Sequence, residues 1–138
     1  MSNKINALIL GDLILDTYVT GEVNRISPEA PVPILLQKDN YHVLGGALNV
    51  TQNLCDLGVN AIPIGLIGDD FAGKKILSML KDEKIETTNI LPSKNYVTSE
   101  KTRYASNNHH LLRLDKEIVC SKKDWNDFFV EKTLELLN

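Results

Sequence analysis

Leu44-Gly45-Gly46-Ala47-Leu48-Asn49-Val50-Thr51-Gln52-Asn53-Leu54-Cys55-Asp56-Leu57-Gly58, followed by Val59-Asn60-Ala61-Ile62-Pro63-Ile64-Gly65-Leu66-Ile67-Gly68, is the stretch that decides the fold. Leu44-Gly45-Gly46 reads as a loop. Ala47–Leu57 carries apolar residues at 47, 50, 54 and 57, the spacing of one face of an amphipathic helix. Gly58 stands where a helix C-cap glycine is expected. Ala61–Ile67 is a short apolar run of the kind that forms a buried strand.

Working outward, Lys4–Leu10 is a similar apolar run that stops at Gly11-Asp12, so it reads as a buried parallel strand. Phe71–Lys81 places Ile76, Leu77 and Leu80 at helical spacing, and Ile90-Leu91 is a brief third strand. Strand, helix, strand, helix, strand is the order of parallel crossovers, so the fold class is α/β. Tyr18–Asn24 and Pro33–Val43 mix polar and apolar residues around Pro28, Pro31 and Pro33, which predicts edge or lid strands. Asn95–Tyr104 and His110–Asp115 predict a hairpin through Ser106-Asn107-Asn108-His109, because asparagine tolerates positive φ. A last helix is expected from Lys122, with Ser121 as N-cap, Asp124 in its first turn and Trp125, Phe128, Phe129 and Leu136 on its apolar face.

Composition narrows the function classes. The 138 residues suit one domain, and 43% hydrophobic with 24% charged residues is ordinary for a globular chain. A net charge of -3 argues against nucleic acid as the partner. No apolar run approaches the roughly 18 residues of a membrane span, and the start has no secretory pattern. Cys55 and Cys120 lie far apart in different elements, and they read as reduced thiols of a cytoplasmic protein.

Ligands of open α/β sheets bind beyond the carboxyl ends of the strands. Gly11-Asp12 with Asp16, Gly45-Gly46 and Gly68-Asp69-Asp70 collect there. Adjacent glycines at a helix entrance let oxygen-rich groups approach bare N–H groups. Asn49, one turn inside, offers both a donor and an acceptor. Asp16 offers an acceptor for paired hydroxyls. Each signal has a plainer reading: Gly-Gly as a turn, and an Asp after a strand as a cap. Lys101 and Arg103 are two apart in a strand, hence on one face, and suit one phosphate; the plain reading is solvent-facing charge. Arg113 joins them if the turn includes His109, and faces away if the turn is Asn107-Asn108. His109 and His110 point to opposite faces, His42 stands apart from both, and no metal site is expected.

Taken together, Gly45–Thr51 with Gly58 and Gly68 resembles the amino-terminal signature of the ribokinase-like (PfkB) carbohydrate kinases, and Asp16 falls where that family keeps a sugar-binding aspartate. Arg25-Ile26-Ser27-Pro28-Glu29-Ala30-Pro31-Val32-Pro33 and Leu112-Arg113-Leu114-Asp115 resemble the D-glycero-β-D-manno-heptose 7-phosphate kinase branch, over nearly the whole chain. One departure is Asn107-Asn108-His109-His110, where that branch commonly has Arg-Asn-Gln-Gln; it removes a positive charge beside the expected phosphate site.

The resemblance implies a Rossmann-like ribokinase fold with a small β-lid, its pieces near 17–44 and 95–115. It implies that residues 1–138 are the amino-terminal, sugar-binding half of a kinase that uses ATP and Mg²⁺ in ADP-heptose synthesis for lipopolysaccharide core. Substrate-binding residues would be Asp16, Gly45, Gly46, Asn49, Lys101, Arg103 and Arg113. The family's catalytic Gly-Ala-Gly-Asp segment has no match here, and neither does a Walker-type loop. The expectation is therefore no catalytic residue, no bound ATP or Mg²⁺ and no turnover from this stretch by itself. A homodimer through the lid is also expected. Other readings are a ribose, fructose or nucleoside kinase of the same family, or a non-catalytic sugar-phosphate-binding or dimerisation module. A dinucleotide-binding domain is disfavoured, because no Gly-x-Gly-x-x-Gly follows the first strand.

Overall fold

A computed structural model of the protein describes residues 5–117, 129–130 and 132–136. The elements run β1 (Asn6–Leu10), β2 (Leu13–Ile26), β3 (Pro33–Gly46), α1 (Ala47–Asp56), β4 (Asn60–Gly68), α2 (Phe71–Asp82), β5 (Ile90–Ser93), β6 (Ser99–Ser106) and β7 (His109–Lys116). Residues 129–130 and 132–136 are helical. The expected Ser121 cap, Asp124, Trp125 and Phe128, and also Cys120, lie outside the described residues.

Two sheets form. The first is parallel, in the order β1-β4-β5; the second has the order β3-β2-β6-β7. The α/β reading therefore holds, and the second sheet carries both expected lid pieces. It reaches further toward the body than 17–44, since β2 starts at Leu13 and β3 ends at Gly46. β2 is not an edge strand: it pairs antiparallel with β3 and parallel with β6. The prolines that suggested an edge all lie in the β2–β3 connection or at the first residue of β3, where no ladder bond is lost.

Pro63 sits in β4, the middle strand of its sheet, at a place that costs no bond. Asn60 N–H reaches Ile5 on the β1 side and Gly65 N–H reaches Asn89 on the β5 side. Because donors alternate along a parallel strand, the Pro63 nitrogen points toward β5. That pairing begins only at Gly65.

The core joins the two sheets through alternation along β2. Leu13, Leu15, Thr17 and Val19 are buried, while Ile14, Asp16, Tyr18 and Thr20 are partly open. Leu13 and Leu15 pack with Leu44, Leu48, Ile67, Ala72, Ile76, Leu80, Ile85 and Ile90. A Cβ on Gly65 would stand 2.6 Å from Leu13 Cγ, so the glycine lets β2 lie close on β4.

On α1 the buried face is Leu48 and Thr51, with Ala47 and Cys55 packed at its margin. The expected stripe at 47, 50, 54 and 57 is rotated, since Val50 is 48% and Leu57 78% exposed. The junction sets this rotation. Ala47 N–H bonds to the Asp12 carbonyl at 3.0 Å, which ties the start of the helix to the β1–β2 connection, and the Thr51 hydroxyl bonds back to the Ala47 carbonyl at 2.9 Å. Gly58, at φ 83, closes the helix as expected, with N–H bonds from Gly58 to Cys55 and from Val59 to Leu54.

Asp70 caps α2. Its Oδ1 accepts from Gly73 N–H at 2.8 Å and its Oδ2 from Thr98 N–H at 2.9 Å, tying the helix to the start of β6. Burial pushes this carboxyl up. The Gly73 and Thr98 donors outweigh that and hold it below its ordinary 3.8. Asp70 is thus a cap rather than a ligand group. Asp70→Ala is expected to cost about 1–2 kcal/mol in urea unfolding at pH 7. The folded carboxyl titrates below the unfolded one, so its stabilisation is present above the ordinary value and lost as pH falls through the lowered one. The gap between native and variant should narrow below about pH 4; a gap constant into acid would remove the charge from the cap.

Candidate binding site

The candidate site is the open face of the second sheet. Side chains that point to this face line up in rows across four strands. One row is Val43, Asp16, Lys101 and Asp115; the next is Tyr41, Tyr18, Arg103 and Arg113. Nearer the body, Gly45 stands opposite Ile14.

The glycines are not a loop but the last two residues of β3. Their lack of side chains is needed for two separate reasons. A Cβ on Gly45 would lie 2.3 Å from Asp16 Oδ2, so the carboxylate occupies the space that glycine leaves. Gly46 takes φ 59 and ψ -132 to turn the strand into α1, and its Cβ would meet the Asp12 carbonyl oxygen at 2.3 Å. As N-cap, Gly46 offers no side chain to the first-turn N–H groups of α1. Asn49 is exposed in that turn, and its Oδ1 accepts from Asn53 at 3.4 Å.

Charges on this face form a lattice. Asp16 Oδ1 accepts from Arg103 Nη1 at 2.5 Å, with both side chains under a fifth exposed. Asp115 joins two cations: Lys101 Nζ at 3.1 Å and Arg113 Nε at 2.9 Å. Lys101 also lies 3.6 Å from Glu117. Bonding to Asp16 raises the Arg103 guanidinium above its ordinary value against the opposing pull of burial. The bond from Lys101, and then that from Arg113, hold the Asp115 carboxyl below its ordinary value although burial opposes them.

Lys101 and Arg103 do share a face, as their spacing predicts, but each is bound to its own carboxylate. Arg113 reaches that face by a route neither sequence alternative contained. Asn107 and Asn108, at φ 48 and 65, form a two-residue turn, with Ser106 opposite His109 and Ala105 opposite His110. A bulge then leaves Leu111 extra, so that Tyr104 pairs Leu112 and Arg103 pairs Arg113. Asp115, Tyr18 and Tyr41 were not anticipated. Asp115 and Tyr18 are each two residues from a predicted site residue and therefore share its face; Tyr41 required the β2–β3 register. Beyond the second row, a cleft of about 360 Å³ is lined by Tyr18, Thr20, Tyr41, Ala105, Asn107, Asn108 and His110.

On the opposite face, His42 Nδ1 lies 3.0 Å from Thr17 Oγ1, which donates to Glu100 at 3.1 Å. The Thr17 proton is committed to Glu100, so His42 donates from Nδ1. Burial holds this imidazole below its ordinary value, with Lys75 adding to the effect and Glu100 opposing it.

This arrangement can seat a ligand with hydroxyls at one end, facing Asp16, and an anion at the other, facing Lys101, Arg103 and Arg113. The family model described as pfkB family carbohydrate kinase matches residues 5–134. Bifunctional protein HldE of Helicobacter pylori strain HPAG1 is 43% identical over 134 residues, covering 94% of this chain and 29% of that protein. A carbohydrate kinase from Agrobacterium tumefaciens superposes with a TM-score of 0.63 at 20% identity, over 81% of this chain and 35% of that one. A fructokinase with bound ATP from Xylella fastidiosa gives 0.60 at 18% identity, over 83% and 33%. The fold is that of the ribokinase-like sugar kinases, and the chain spans less than a third of the HldE protein it matches.

Proposed function

The chain belongs to the pfkB family of carbohydrate kinases, and from that premise we propose that it is the sugar-binding part of a heptose 7-phosphate kinase. The observation that carries this reading is the combination on one face of an acceptor beside a glycine, Asp16 at Gly45, with three cations one and two strands away. The likeness of Arg25–Pro33 and Leu112–Asp115 to the heptose kinase branch supports the same substrate.

Here Asp16 accepts hydrogen bonds from neighbouring sugar hydroxyls, with Gly45, Gly46 and Asn49 at the same end. Arg103, Lys101 and Arg113 neutralise the 7-phosphate; among the described residues Arg113 bonds through Nε, to Asp115, so its terminal nitrogens can turn to an oxyanion. The anomeric oxygen attacks the γ-phosphorus of ATP, the bond to the ADP oxygen breaks, and the hydroxyl proton passes to a base. That base, and the groups for ATP, belong to the family's carboxyl-terminal half. Magnesium bound with ATP would supply charge neutralisation there. Among the described residues, no group of three or more His, Cys, Asp or Glu could hold a metal. The compartment is the cytoplasm, where ATP is supplied. Exposed Leu112 and Leu114 on the edge strand β7 support a homodimer through the lid.

The test is a substrate panel on the longest natural polypeptide carrying this segment: heptose 7-phosphate, unphosphorylated heptose, ribose, fructose and inosine. Heptose 7-phosphate should give the highest kcat/KM. Lys101→Ala should weaken use of the phosphorylated sugar by roughly tenfold and of the unphosphorylated one far less. Equal losses on both would remove Lys101 from a phosphate site. A preference for fructose or inosine would move the protein to another kinase of the family. Asn107-Asn108-His109-His110, in place of the branch's Arg-Asn-Gln-Gln run, removes a positive charge beside the expected phosphate site and favours that second reading.

A further inference from the structure

Two tyrosines on the open face have no part in the reaction just described. Tyr41, Tyr18 and Arg103 are consecutive in one row across β3, β2 and β6, with Arg113 next on β7. The two rings stack with centroids 5.0 Å apart and planes 5° from parallel. The Arg103 guanidinium carbon lies 5.2 Å from the Tyr18 ring centre. Three flat groups thus stand side by side, and the last is a cation at the proposed phosphate site.

Arginine reaches its head group through several rotatable bonds. One hydrogen bond, from Nη1 to Asp16, fixes a single atom and leaves the guanidinium plane free to turn about it. A ring face against that plane removes the remaining freedom through cation–π attraction. Tyr18 can do so only if its own ring is held, and Tyr41 holds it from the neighbouring strand. Among the described residues Arg103 bonds through Nη1, so Nε and Nη2 stay available to an oxyanion.

We propose that Tyr18, backed by Tyr41, is a positioning residue that holds the Arg103 guanidinium toward the phosphate of the sugar and so sets the preference for phosphorylated substrate. This rests on the heptose 7-phosphate reading above. A pre-oriented fork loses less freedom when an oxyanion binds, and that advantage exists only for a substrate that carries the oxyanion.

The experiment measures kcat/KM of the full-length kinase for heptose 7-phosphate and for unphosphorylated heptose, and compares the ratio among variants. Tyr18→Leu should lower the ratio roughly fivefold, and Tyr41→Leu should lower it by a smaller factor. Tyr18→Phe, which keeps the ring, should hold it within about twofold. A stabilising cross-strand pair with no positioning role would affect both sugars alike, so equal losses overturn the proposal. Tyr18→Phe falling as far as Tyr18→Leu also overturns it, because the hydroxyl rather than the ring would then be responsible. If Tyr18→Leu does not fold, Tyr41→Leu decides, and an unchanged ratio there counts against the proposal. Arg103→Met separates the two levels. A ratio unaffected by Arg103→Met strikes the phosphate reading itself; a ratio that collapses there but is unmoved by Tyr18→Leu and Tyr41→Leu strikes the positioning role.

Discussion

If the heptose 7-phosphate kinase reading holds, Asp16→Ala in the longest natural polypeptide carrying this segment should lower kcat/KM for the sugar by about a thousandfold. The loss has two sources. The sugar loses its charged acceptor, and a site built to pair with hydroxyls discriminates steeply once that pairing is broken. Arg103, only 19% exposed, also loses the carboxylate at 2.5 Å that balances it. The fold should survive, because Asp16 alternates with the buried Leu15 and Thr17 and points away from the core. An unchanged circular dichroism spectrum and a single cooperative urea melt, with stability lowered by about 1–3 kcal/mol for the unpaired Arg103, would establish that. Asp16→Asn, which keeps the shape and one acceptor, should be the milder change. Turnover unaltered by Asp16→Ala would remove this residue from the site and take the sugar reading with it.

Gly46→Ala should be the most damaging small substitution for folding, at about 3 kcal/mol or more in urea unfolding. At φ 59 and ψ -132 the backbone is in a region that side-chain-bearing residues rarely enter. The added Cβ would also meet the Asp12 carbonyl at 2.3 Å. That oxygen cannot retreat freely, since it accepts the Ala47 N–H that starts α1. Gly45→Ala makes an instructive contrast. Its Cβ would collide with a side chain, Asp16 Oδ2, which can swing away. Activity should suffer there more than stability. A Gly46→Ala protein as stable as the native one would show that the junction can rearrange.

The parallel core was legible because apolar runs and helical spacing report burial directly, and β1, β4, β5, α1 and α2 all form close to their expected places. What escaped depended on contacts between distant segments. The inward face of α1 is set by Ala47 bonding to Asp12, a pairing invisible in the helix's own sequence. The same limit applies to the central position of β2, which follows from β6 joining it in parallel. At the end of α2, Lys84 adopts φ 58 with no glycine to announce it, while Ile85 behind it is buried. Spacing correctly grouped Lys101 with Arg103, because period-two alternation needs no partner. It could not show that Asp16 and Asp115 already hold those cations.

The unmatched Leu111 has a consequence for how this stretch can change over descent. Every residue after it on β7 owes its facing to one surplus position: a regular ladder through Leu111 would set Arg113 opposite Thr102 and carry Arg113 and Asp115 to the reverse side, whereas a chain that lost the Leu111 codon would keep Arg113 opposite Arg103 with no bulge. This ribbon can therefore shed one residue in the course of descent and still present the same side chains outward.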